Sequence, residues 1–351
     1  MKAGSCRPFP FPTLASRPFS GTVPPVLAAI TPWHWLGFVA FVLLALALDL
    51  GVLNRESREV RFREALVWTA VWAACAVAFA LVGAPRLITG WTAEQSTTFL
   101  TGYVVELSLS MDNVFVIAMI FRYFAVPAPW QRRVLFWGIL GALIMRGVMI
   151  LAGAALIQRF HWTLYLMGAF LLYTGIKMLA AGEDGDSVEP ENSIPVRIAR
   201  RLFPLAKDFD GERFVTVQAG RRLLTPLALV LVMVETTDVV FALDSIPAIF
   251  GVTKDPFIVF TSNVFAILGL RSLYFVLASL MGYFRLLKYG LALVLMFIGA
   301  KMLGEHWLKL WLGDYLTNVS LGFVVGTILT SMLASVLLGN RTVSDDDGST
   351  P

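Results

Sequence analysis

Long apolar stretches alternate with short polar ones along this chain of 351 residues. A bilayer core about 30 Å thick is crossed by about 20 apolar helical residues. Windows of that kind lie near residues 35–53, 65–84, 97–121, 133–156, 162–181, 223–246, 257–283, 287–304 and 317–338. The pattern predicts an all-α polytopic membrane protein with about nine transmembrane helices. Residues 34–338 then form the transmembrane domain, with 182–222 as its longest polar loop and 339–351 as a disordered C-terminal tail. A turn must fall at Met281-Gly-Tyr-Phe-Arg285 to separate the seventh and eighth spans.

Two of these apolar windows carry acids. They are Glu106-Leu-Ser-Leu-Ser-Met-Asp112-Asn113 and Glu235-Thr-Thr-Asp238-Val-Val-Phe-Ala-Leu-Asp244-Ser245. One carboxylate at a helix centre in lipid costs roughly 2.5–3.5 kcal/mol, so five need a cavity, counter-charges or a cation. Asp49 adds a sixth acid, more readily placed at the interface. Against six acids stand four intramembrane bases, Arg146, Lys177, Arg271 and Lys301. The two lysines lie near helix ends, where snorkelling is the expected role. The surplus is negative and favours a cation.

Glu106, Asp112, Asn113, Glu235, Asp238 and Asp244 are the candidate metal ligands. Ser110, Thr236, Thr237, Ser245 and Asn263 offer further neutral oxygens, although Asn263 serves a helix contact equally well. All are hard oxygen donors, which suit Mg, Ca or Mn rather than copper or thiolate-bound zinc. A purely structural reading competes: Asp112 pairs with Arg146 and Asp238 with Arg271, bracing each half. Spacing puts Glu106, Ser110 and Asn113 on one helical face, while Asp112 and Asp244 point about 120° away from their neighbouring acids. Either the helices unwind at Thr236-Thr237 and Pro247, or the acids face partners on two sides.

The middle of the chain repeats. Asp112-Asn-Val-Phe115 matches Asp238-Val-Val-Phe241 at an offset of 126, Arg146 matches Arg271 at 125, and Gly175-Ile-Lys-Met-Leu179 matches Gly299-Ala-Lys-Met-Leu303 at 124. The units, about 97–181 and 223–304, each hold three helices. An odd number forces opposite insertion, giving a three-plus-three inverted repeat with its site at mid-membrane.

Composition agrees: hydrophobic residues make up 57% and charged residues 15%, far from a soluble domain. The net charge of +4 does not indicate nucleic acid, because the basic residues sit in short loops. Cys6 and Cys75 make no disulfide framework, and His34, His161 and His306 are far from the acids. No phosphate-cradling loop and no nucleophile–base pair is visible, so an enzyme is not expected. Lysine and arginine number 17 on the side holding the 182–222 loop and 7 on the other. That asymmetry puts the N-terminus outside and the C-terminus in the cytoplasm. Trp33, Trp35, Trp91, Trp162, Trp307 and Trp311 fall at outer ends as an interfacial belt. Residues 1–33, with seven prolines and no acids, are expected to be a disordered tail, with a targeting peptide or an over-long gene start as alternatives.

The acidic segments resemble those of the TerC family of integral membrane proteins, named for tellurium resistance and including the alkali-induced Alx branch. The likeness runs through Thr101-Gly-Tyr-Val-Val-Glu106 to Val116, Pro127 to Arg146, Glu235 to Ala248, and Thr261-Ser-Asn263 to Arg271. It implies a bacterial inner-membrane protein, efflux of manganese or a related divalent cation, and a distant likeness to LysE-type exporters. By motif position, Glu106, Asp112, Asn113, Glu235, Asp238 and Asp244 inherit the metal-site role, with Arg146 and Arg271 as charge partners. Two departures stand out: Leu107 where Lys is frequent in the family, and Arg132 where His is common. The expected function is secondary export of divalent cation, manganese first, in exchange for protons, with no permanently bound cofactor. The alternative is a membrane scaffold that assists assembly or metal loading of other proteins, docking through the 182–222 loop. Besides lipid and the cation, the candidate partners are further copies of this chain and exported metalloproteins.

Overall fold

The computed structural model describes residues 30–51, 62–160, 162–180, 204, 206, 208–218, 221–278, 287–304, 307–308 and 315–343. The expected tails at 1–29 and 344–351, most of the 182–222 loop and the turn at Met281–Arg285 lie outside these residues, as does the side chain of Asp49.

The helices are α1 (Pro32–Gly51), α2 (Phe62–Leu87, with a π turn at Phe79–Gly83), α3 (Ala93–Tyr123), α4 (Ala128–Arg159) and α5 (Thr163–Ala180). They continue with α6 (Pro226–Val252), α7 (Pro256–Ala278), α8 (Leu287–Leu303) and α9 (Leu316–Val343). Among the described residues seven helices are long and apolar enough to cross a membrane: α2 to α7 and α9. Helices α1 and α8 fall where spans were expected but their apolar stretches are shorter.

Local sequence sets the starts. Thr92 opens α3 with a capping box: its Oγ1 accepts from the Gln95 amide at 3.3 Å, while Gln95 Oε1 accepts from the Thr92 amide at 2.8 Å. Thr225 caps α6 ahead of Pro226 at the first helical position, where a missing N–H costs nothing. Asp255 caps α7, accepting from Phe257 N at 2.9 Å.

One element departs from the all-α expectation. Val215–Gln218 (β1) and Arg221–Leu224 (β2) pair as an antiparallel hairpin, with Val215 opposite Leu224 and Val217 opposite Arg222. The alternation in Val-Thr-Val-Gln, broken by Ala219-Gly220, was a legible hairpin signal. Thr225 ties it to α6, its Oγ1 donating to Arg213 O at 2.7 Å, and Arg133 at the start of α4 lies 5.1 Å over the Phe214 ring.

Helices α3 and α7 form the hub. Their most apolar windows are 67% and 89% buried within the molecule, against 17% for α2. Helix α7 packs against α1, α2, α3 and α4. Gly102 of α3 lets it close on α7, since an added Cβ would sit 2.9 Å from Ser262 Oγ. The tightest seam is α5 against α8. A Cβ on Gly299 would sit 2.7 Å from Gly168 O, and one on Gly175 would sit 2.9 Å from Ala292 O. The two helices therefore run antiparallel, with backbone against backbone.

Of the two alternatives, unwinding near Thr236-Thr237 and Pro247 does not occur. Helix α6 runs unbroken from Pro226 to Val252 with Pro247 inside it. Both threonines bond back to the preceding turn, Thr236 Oγ1 to Val232 O and Thr237 Oγ1 to Met233 O, each at 2.7 Å. Ser245, Ile246, Ala248 and Ile249 around the proline are buried, and that packing outweighs the lost helical donor. The acids of α6 thus diverge by helical geometry and meet different partners.

Candidate functional site

Two apolar clusters are separated by a polar layer. One contains Met111 and Val114 of α3, Val134 of α4, Met233 of α6 and Leu270 of α7; the other contains Val105 and Leu109, Ile150, Ala242 and Val259 of the same four helices. At their boundary lie the buried polar residues Glu106, Ser110, Asn113, Arg146, Asp238 and Asn263. Each is near the middle of its helix, so a bilayer spanned by these helices places the layer near its midplane.

Arg146 is the centre of this layer and is 2% exposed. Its Nε donates to Asp238 Oδ2 at 3.1 Å and its Nη2 to Asp238 Oδ1 at 2.8 Å, a two-pronged clamp. Its Nη1 forms an ion pair with Glu106 Oε1 and reaches Ser245 Oγ and Asn263 Oδ1, each at 3.4 Å. The remaining oxygens are held in turn. Asn263 Nδ2 donates to Glu106 Oε2 at 3.0 Å, Ser110 Oγ to Glu106 Oε1 at 3.1 Å, and Asn113 Nδ2 to Asp238 Oδ1 at 3.4 Å. Four helices, α3, α4, α6 and α7, meet here.

The competing structural reading pairs Asp112 with Arg146 and Asp238 with Arg271. In the structure Arg146 binds both Asp238 and Glu106. Glu106, Ser110 and Asn113 share the face that spacing predicts, and Asp112, one residue before Asn113, is turned off it and half-buried. Arg271 is buried in α7. Two carboxylates share one guanidinium, which leaves a single negative charge in excess inside the cluster.

The other two acids of α6 lie apart. Asp244 precedes Ser245 and so faces α5, where Thr174 Oγ1 donates to its Oδ1 at 3.3 Å and the Lys177 ammonium is within electrostatic reach. Thr174 had no marker in the sequence. Glu235 packs its carboxylate against the Cα of Gly141 in α4, where any Cβ would overlap it. Gly141 is another contributor that sequence reasoning missed; Gly138 and Gly141 in one apolar helix were the available signal of a close approach. Lys301, expected to snorkel, is buried instead.

Among the described residues no group of three or more His, Cys, Asp or Glu stands close enough to hold a metal ion. The six candidate ligands are therefore distributed: Glu106, Asp238 and Asn113 in the cluster, with Asp112, Glu235 and Asp244 around it. One atom of the cluster lacks a partner. Asn113 Oδ1 is buried with no hydrogen bond. Flipping the amide would aim that oxygen at Asp238 Oδ1, so the orientation is set by charge.

The chain is 47% identical over 316 residues to an uncharacterized membrane protein of Myxococcus xanthus, covering 90% of this chain and 96% of that one. It is 43% identical over 316 residues to Alx of Escherichia coli K12, named as a candidate membrane-bound redox modulator, covering 89% and 96%. An uncharacterized membrane protein of Rickettsia felis is 35% identical over 306 residues, covering 87% and 98%. No solved structure matches. The profile of the integral membrane protein TerC family matches residues 91–343, which hold the whole polar layer. This chain, a multi-pass integral membrane protein of a bacterial family, belongs to the TerC family.

Proposed function

We propose that this protein is a secondary exporter of divalent cations, with manganese as the expected cargo. The observation that carries the reading is the mid-membrane cluster in which Glu106 and Asp238 converge on one arginine, among Asn113, Asn263, Ser110 and Ser245. A fold that only needed bracing would pair one acid with one base. Here hard oxygens outnumber the positive charge, at the depth where transporters hold their ions.

In this reading the protein has nine spans in the bacterial inner membrane, N-terminus outside and C-terminus cytoplasmic, with α3–α5 and α6–α8 as inverted units. The α5–α8 seam supports that arrangement. Gly168 meets Gly299 and Gly175 meets Ala292, while 292 and 299 are the positions 124 residues after 168 and 175. Each contact is thus the image of the other, as a two-fold relation requires. The cation comes from the cytoplasm, sits between the units at Glu106, Asp238 and Asn113, and leaves when one unit rocks against the other. Asp112, Glu235 and Asp244 keep the approach negative, and the carboxylates carry protons on the return.

The test is flux in proteoliposomes for a panel of divalent ions at two pH values. Manganese flux that increases with an opposing proton gradient and disappears in Asp238→Asn, with the variant still in the membrane, supports the reading. Equal flux in protein-free vesicles overturns it.

A further inference from the structure

We infer that Arg146 is a tethered competitor of the transported cation: its guanidinium holds the cation's place, and binding requires it to withdraw. The inference rests on the export reading and adds a residue that sets affinity and release.

The surroundings of the guanidinium are those of a metal ion. It faces two carboxylates, Glu106 and Asp238, an amide oxygen of Asn263 at 3.4 Å and a hydroxyl oxygen of Ser245 at 3.4 Å. All are hard donors of the kind a divalent cation takes. Arg146 is 2% exposed, and a guanidinium keeps its charge at any accessible pH, so it and a divalent ion cannot share these oxygens. Nor does it satisfy them fully. One positive charge faces two negative ones, and Asn113 Oδ1, on a side chain 3% exposed whose nitrogen donates to Asp238, is buried without a donor. A divalent cation would neutralise both carboxylates. Guanidinium and cargo are therefore alternative occupants of one set of ligands, and the returning arginine expels the cargo.

Equilibrium Mn2+ binding to the purified full chain in detergent tests this, using wild type, Arg146→Lys and Arg146→Ala. The expected result is binding at least tenfold tighter in Arg146→Ala, with Arg146→Lys between, because an ammonium cannot grip Asp238 with two prongs. Millimolar free guanidinium should weaken Mn2+ binding to Arg146→Ala and leave wild type unchanged, a signature that a bracing arginine would not produce. If Arg146→Ala does not fold, Arg146→Lys decides: tighter binding supports the inference, equal or weaker binding overturns it. Wild-type flux in vesicles with no gain of affinity in either variant overturns this inference alone. No binding to any variant and no wild-type flux overturns the export reading with it.

Discussion

Arg146 of α4 and Asp238 of α6 meet edge to edge, through hydrogen bonds of 3.1 and 2.8 Å, near the middle of both helices. Because Glu106 also binds this guanidinium, the cluster is asymmetric towards mutation. Arg146→Gln strands two buried carboxylates and should cost about 3–5 kcal/mol of stability, the usual penalty for breaking a buried pair. Asp238→Asn leaves Arg146 paired with Glu106 and removes the excess charge, so its cost should be clearly smaller. Unfolding of both variants in the same detergent checks the order. Equal losses would mean the guanidinium is not shared.

Gly141 should behave as part of the site. Alanine normally stabilises a helix relative to glycine, by up to about 1 kcal/mol. At Gly141 its Cβ overlaps the Glu235 carboxylate, so Gly141→Ala should displace that acid and lower manganese flux by about tenfold or more. Gly322→Ala in α9, where nothing lies within 4 Å, is the control and should leave flux unchanged. Matching flux in the two variants would remove Glu235 from the account.

The α5–α8 seam predicts paired effects. Alanine at Gly299 puts a Cβ 2.7 Å from Gly168 O, and alanine at Gly175 puts one 2.9 Å from Ala292 O. Neither contact can give without separating backbones, so each should cost about 1–3 kcal/mol, and by similar amounts. A large difference between the two, read by thermal unfolding, would speak against a two-fold relation.

Asp255, in the short connection between α6 and α7, links stability to pH. Burial pushes its carboxyl above the ordinary carboxylate value, although the Phe257 and Ile258 amides oppose this. A group whose folded value is raised binds its proton more tightly when folded, so stability falls as pH climbs from the ordinary value through the raised one. Asp255→Asn keeps an acceptor for the helix cap and has no proton to lose. Its stability relative to wild type should therefore rise across that window and level off above it. A constant difference from pH 4 to 8 would contradict the linkage.

Much of this was legible in the chain. Apolar windows locate the helices because lipid demands long apolar runs, and i, i+4, i+7 spacing puts Glu106, Ser110 and Asn113 on one face because α3 is a regular helix. The partners were not legible. Which acid Arg146 binds depends on how four helices pack, and Asp112 and Glu106 lie on the same helix of the chain. Helix α6 looked breakable at Pro247 because the sequence shows the lost donor but not the burial around it. Gly141 marked a close approach without naming its partner, because a glycine's role depends on what approaches it, here a carboxylate from another helix.

In the export reading the cluster around Arg146 and Asp238 carries a divalent cation. Manganese flux into proteoliposomes, wild type against Asp238→Asn at matched protein density, tests it most directly. The account predicts saturable flux in wild type and its loss in Asp238→Asn. Undiminished flux in Asp238→Asn would contradict it.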